Sequence, residues 1–201
     1  MRFGEIVSIS IEHVWIVAIA VAVALLISAP AALLLIRHAR LRRGTLAVVN
    51  VVQTIPSLAL FGFLLPIPFI GGVGKQTAII ALILYALLPI LRNSVIGILG
   101  VDTGVRESAI AMGMTPRQVL LQVELPLAFP TILAGIRIAT VSTIGTATIA
   151  ATIGGGGLGT FVFRGIATAD MRTVLAGAVP AALMAIIADE VLEWIERRFS
   201  Y

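Results

Sequence analysis

From Val14 to Ile36 the chain reads VWIVAIAVAVALLISAPAALLLI, and RHARLRR follows at once. No charged residue interrupts the apolar run. At about 1.5 Å per helical residue it reaches across a hydrocarbon core of about 30 Å. Trp15 stands at its front edge, where an amphipathic ring prefers the membrane interface. A cleavable leader carries its positive charge before the apolar region, whereas Arg37, Arg40, Arg42 and Arg43 come after it. The span is therefore expected to be retained, with its N-terminal end outside.

The rest of the chain repeats this pattern. Of 201 residues, 59% are hydrophobic and 12% charged, and the mean hydropathy is +1.10. Such a composition cannot cover a surface with polar groups in water, which excludes an ordinary soluble enzyme and a disordered chain alike. Further apolar blocks run from about 45 to 65 with Pro56 inside, 77 to 99 with Pro89 inside, 130 to 153, and 174 to 195. The last block, which contains Pro180, ends in a charged but still helical tail, where Glu193 and Arg197, and Trp194 and Arg198, are spaced i,i+4. The expected fold is an all-α integral membrane protein of about five transmembrane helices, forming one transmembrane domain over residues 1–201. Nine basic residues fall on one set of connecting segments and four (Arg2, Lys75, Arg164 and Arg172) on the other, with Arg137 apart, two turns into the fourth span. Basic residues collect on cytoplasmic loops, so the N-terminus is expected outside and the C-terminus inside. The same rule accounts for the net charge of +4 without nucleic acid.

Chemistry is scarce. Cysteine is absent, and the two histidines, His13 and His38, flank one apolar block, so thiol and H-E-x-x-H zinc chemistry are excluded. No acidic residue lies mid-block, which argues against ion-coupled pumping and leaves the energy to another subunit. Gly154, Gly156 and Gly159 spell G-x-G-x-x-G, but after a membrane helix rather than a strand, so an outer loop or re-entrant bend is expected there. Gly74-Lys75 lacks the following Ser/Thr of a phosphate loop. In the fourth block Gly135, Ala139, Thr143, Ala147 and Ala151 form a small-residue stripe suited to close helix packing. A solute-path lining is the lesser alternative, suggested by Thr140, Ser142, Thr143, Thr146 and Thr148.

The most polar stretch, about 102–128, is longer than an ordinary helix connection. A first short helix is expected from Thr103 to Met112, with Gly113 as its left-handed stop. Thr115 is a suitable N-cap and Pro116 a suitable first-turn residue for a second helix, which Pro126 and Pro130 are expected to end.

Glu107-Ser108-Ala109, Gly113 and Val123-x-Leu125-Pro126 resemble, in register, the E-A-A-x-x-x-G…I-x-L-P motif of transmembrane subunits of bacterial ABC importers. Ser108 stands for alanine and Val123 for isoleucine, both small changes. The stretches Gln53–Leu60, Tyr85–Asn93, Leu133–Arg137, Ile153–Gly159 and Leu175–Pro180 are similar to permeases for osmoprotectants such as glycine betaine, choline and carnitine. Methionine or another amino acid is the alternative cargo. This resemblance implies a multi-pass permease subunit of the bacterial inner membrane that is itself no enzyme and binds no cofactor. It implies two ABC ATPase subunits that hold ATP and Mg, and a second permease copy or paralogue. It also implies a separate periplasmic or lipid-anchored binding protein. Glu107, Ser108, Ala109, Gly113, Arg117, Val123, Leu125 and Pro126 would form the ATPase-coupling elbow. Polarity alone nominates Thr54, Ser57, Tyr85, Asn93 and Thr143 for the solute path.

Overall fold

The computed structural model describes residues 3–68 and 70–199. Arg2, counted above on the outer side, lies outside them. Among the described residues there is no strand. The helices are α1 (Phe3–Arg37), α2 (Ala39–Thr54), α3 (Ser57–Leu64), α4 (Lys75–Leu99), α5 (Thr103–Ala111), α6 (Pro116–Gln118), α7 (Leu125–Ala150), α8 (Gly159–Ala167) and α9 (Met171–Phe199). A π-helical stretch, Val119–Glu124, joins α6 to α7, and a 3-10 turn, Ala151–Ile153, follows α7.

Four segments are long and apolar enough to cross a membrane: α1, α4, the continuous rod Pro116–Ile153, and α9. The expected second span is broken, because α2 and α3 meet at a 102° bend. Ile55 before Pro56 is extended (φ −69°, ψ 124°), as the proline ring demands of its predecessor. Counted as one span, the pair makes the fifth.

The centre is built from small residues. Ala20 and Ala24 of α1, Ala78, Ala81 and Ala86 of α4, and Ala139 of α7 have no exposed surface. Without longer side chains the three backbones approach closely, which is how membrane helices gain dispersion energy. Gly135 is the extreme case: a Cβ there would lie 2.6 Å from the Asn93 Cβ and 2.7 Å from the Pro89 carbonyl oxygen. The stripe Gly135, Ala139, Thr143 and Ala147 is buried, as packing predicts.

Pro89 lies inside α4 and has no N–H for the Tyr85 carbonyl. Gln53 Nε2 donates to that carbonyl at 3.4 Å, and the Tyr85 hydroxyl donates to the Ile55 carbonyl at the α2–α3 break. Gln53 thus satisfies the carbonyl that Pro89 frees, and Tyr85 braces the break before Pro56 from the other segment.

Pro126 and Pro130 do not end the elbow's second helix. The rod continues through both: before Pro126 the wide π stretch shifts the carbonyl that its ring would strike in an α turn, and Pro130 sits within α7 itself. The fourth spanning helix therefore starts well before Pro130.

At the far end from the elbow the glycine-rich turn folds back onto the bundle. His13 is fully buried there. The Leu158 N–H donates to His13 Nδ1 at 3.3 Å, so the ring proton sits on Nε2, which donates to the Ile144 carbonyl at 3.2 Å. Glu12 pairs with Lys75 beside the same turn at 2.5 Å. The bend is followed by α8, whose Phe161 is fully buried, rather than by a loose loop. Asp170 starts α9, accepting from the Arg172 N–H at 3.0 Å and from the Thr173 hydroxyl. The hydroxyl first, and then the backbone donors, hold its carboxyl below the usual range.

Candidate functional site

The polar segment folds as a hairpin of short helices beyond the C-terminal ends of α1 and α4. Asp102 caps α5 by accepting from the Val105 N–H at 3.1 Å. Ala109 is buried and seats the helix. Gly113 takes φ +84°, the left-handed stop that its position implied. The Met114 N–H then closes on the Ala109 carbonyl at 3.2 Å. Thr115 and Gln118 form a full capping box, with the Thr115 N–H 2.8 Å from Gln118 Oε1. Pro116 takes the first helical position.

Two charges fasten the elbow to the bundle. Arg106 Nε lies 2.5 Å from Glu124 Oε1, and Arg106 Nη2 is 3.4 Å from the Ile98 carbonyl at the end of α4. One guanidinium therefore ties α5 to both the π stretch and α4. Behind it lies a cavity of about 560 Å³ that Ile36, Leu99 and Met114 help to line. The outer crest is apolar and open, with Met112 76% and Ile110 57% exposed. Glu107, Ser108 and Arg117 are exposed beside it, Val123 and Leu125 are half-buried, and Pro126 is exposed. Among the described residues Glu107 and Arg117 have no ion-pair partner. The result is a knob with an apolar tip and, beside it, the exposed Glu107 and Arg117.

The nominated path residues separate into three groups. Thr54, Ser57 and Tyr85 gather at the α2–α3 bend, with Thr54 Oγ1 donating back to the Val51 carbonyl at 2.7 Å. Asn93 is about two turns of α4 further on than Tyr85, its Nδ2 2.8 Å from the Pro89 carbonyl. Thr143 is fully buried within the bundle, its hydroxyl without a hydrogen-bond partner. The hydroxyls of Thr140, Ser142, Thr146 and Thr148 donate to carbonyls of their own helix.

Residues 24–201 match the family described as the binding-protein-dependent transport system inner membrane component. The chain belongs to this family. As a permease it is 43% identical to the choline transport system permease protein OpuBB of Bacillus subtilis, over 98% of this chain and 89% of that protein. It is 42% identical to the osmoprotectant import permease protein OsmW of Salmonella typhimurium, over 96% of this chain and 91% of the relative. A chain of the MetNI methionine ABC transporter, in an inward-facing conformation, matches with a TM-score of 0.86 at 25% identity, covering 100% of both chains. The protein is accordingly a multi-pass transport subunit of an ABC importer and not an enzyme, and ATP is used by a separate partner.

Three features of this permease were not legible in its sequence. The Arg106–Glu124 pair joins residues 18 apart across a turn. Gln53 answers a carbonyl on another helix. Arg137 meets three carboxylates of α9: Asp189, Glu193 and Glu196. Only the last left a hint, as a basic residue two turns into the fourth apolar block.

Proposed function

We propose that this permease moves quaternary amine osmoprotectants (glycine betaine, choline, carnitine or similar) into the cytoplasm across the bacterial inner membrane. The observation that carries the coupling half of this reading is the elbow. A left-handed Gly113, a capping box and a charge staple hold an exposed apolar crest rigidly at one end of a 38-residue helical rod. Two ATPase subunits would each receive one elbow, Glu107 and Arg117 contacting the groove. ATP and Mg on those subunits would drive closure, and the rod would carry the motion to the spans. Five crossings, with α2–α3 as one, together with the nine-to-four basic count, support an inner C-terminus. A second permease, identical or paralogous, would complete the path, and a separate periplasmic or lipid-anchored protein would deliver the solute. The osmoprotectant cargo is supported by the names of relatives at 42–43% identity. Methionine or another amino acid is the second reading, favoured by the structural likeness at 25%.

Affinity purification from native membranes tests the coupling half. An ATPase should accompany the tagged chain, and a binding protein recovered with the complex should bind betaine, choline or carnitine. If methionine binds and these amines do not, the cargo assignment is wrong. If no ATPase is recovered under gentle extraction, the elbow reading fails. Uptake kinetics unchanged by alanine at Thr54, Ser57, Tyr85, Asn93 and Thr143 together would remove those five from the path.

A further inference from the structure

Arg137 is the one basic residue within the apolar reach of the rod, and α9 turns three carboxylates toward it. Glu193 Oε2 is 3.1 Å from Arg137 Nη1. Asp189 Oδ1 and Glu196 Oε2 flank it, each 3.6 Å from Nε. The three acids are spaced i, i+4 and i+7, so they form a column along one face of α9, about one helical turn per step. Only the middle rung makes contact of hydrogen-bond length. Glu196 Oε2 is buried and has no hydrogen-bond partner. Glu193 is also held by Arg197 from its own helix. The group therefore sets three carboxylates around Arg137, with Arg197 engaging only Glu193, and the two more distant acids lie one turn above and below the contacting rung.

A plain structural ion pair needs one carboxylate. Extra acids near the end of a helix oppose its dipole and repel one another. Their placement makes sense if Arg137 changes partners. Arg137 lies on the same continuous helix as the π stretch and α6, so a push on the elbow reaches it without an intervening hinge loop. Helices that slide past each other move between discrete packings, and a one-turn step is a known form of such a change. We propose that Arg137 is a sliding latch, a positioning residue that passes between Asp189, Glu193 and Glu196 as the elbow's rod shifts against α9, and so couples ATPase closure to the spans. The inference rests on the ATP-driven reading above.

The test uses the complete importer, with its ATPase and binding protein, in proteoliposomes, reading solute uptake and ATP hydrolysis together. Arg137→Gln should lower solute moved per ATP at least fivefold. Because that variant can also fail to fold, the decisive one is Asp189→Asn with Glu196→Gln, which leaves the Glu193 contact in place. It should keep the thermal midpoint within about one degree of the parent and still lower the uptake-to-ATP ratio at least threefold. An unchanged ratio in this double variant overturns the latch, since a static pair needs only Glu193. The native chain has no cysteine, so spin labels at Thr152→Cys and Val191→Cys, well separated along the helix axes, can follow the two helices directly. A distance change of about 5 Å between resting and vanadate-trapped complexes is expected, one turn by helix geometry; a change under about 2 Å overturns the slide. If the parent complex itself shows no ATP-dependent uptake, the importer reading falls and takes the latch with it, a result distinct from a coupled parent with an equally coupled double variant.

Discussion

Gln53 answers a problem that Pro89 creates, 36 residues away. The proline leaves the Tyr85 carbonyl without its helical donor, and Gln53 supplies one. An unmatched carbonyl costs about 1–3 kcal/mol when it is shielded from water. Gln53→Leu should therefore lower stability by about 1 kcal/mol in the native chain, and by almost nothing when Pro89→Ala restores the backbone donor. A double-mutant cycle on thermal unfolding in detergent measures this, and equal losses in the two backgrounds would contradict it. Ala169 is a residue of the opposite kind, forced to φ +51° between α8 and α9. An L side chain in that region costs about 1–2 kcal/mol, so Ala169→Gly should raise the midpoint. A lowered midpoint would mean that the alanine methyl contributes packing that outweighs the strain.

The elbow is the element that the proposed coupling depends on, and its turn rests on backbone conformation rather than space. Nothing lies within 4 Å of a Cβ placed on Gly113, so bulk is not what this position forbids. Its φ of +84° is tolerated by asparagine far better than by valine. Gly113→Asn should keep ATPase association and uptake near native, whereas Gly113→Val should lose both; equal behaviour of the two would refute a conformational role. For α9 the relevant group is Asp170, whose carboxyl is held below its ordinary value chiefly by the Thr173 hydroxyl. A depressed folded-state value means that its contribution is present above the ordinary aspartate range, about 3.9, and is lost as pH falls through the lowered value. Native and Asp170→Asn proteins should differ in thermal midpoint at pH 6 and converge in strong acid. A difference that persists at the lowest pH would place the effect elsewhere.

At the scale of the whole molecule, His13 joins three separate parts. It links α1 to the Ile144 carbonyl of α7 and to the Leu158 N–H after the glycine turn. His13→Leu leaves both partner groups of a buried site unmatched and should cost about 2–6 kcal/mol, at about 1–3 kcal/mol per orphaned group. Gly157→Ala attacks the same junction from the other side. Its φ is +72°, and a Cβ would meet His13 Nδ1 at 2.7 Å. Both variants should lower the midpoint, and combining them should do less harm than the sum of the single effects, because each breaks the same contact. Strict additivity would show that the turn and the histidine act independently.

What the sequence determined by itself was set by local chemistry. Unbroken apolar runs must be helices in a bilayer, because no water is present to satisfy a free backbone. Gly113, Thr115 and Pro116 each act on their nearest neighbours, so the elbow's turn and cap were readable from their order. Pro126 does not stop the helix because a π stretch, a property of the folded rod and not of any residue type, lets it pass. The bend at Pro56 was marked by its proline, but its 102° angle and its brace from Tyr85 were not. Tertiary structure alone decided the pairings of Arg106 with Glu124, Gln53 with Tyr85, and Arg137 with the α9 carboxylates. Each joins groups whose sequence positions carry no mutual signal, and each exists because packing brings a charge or a freed carbonyl out of water, where it must find a partner in the protein.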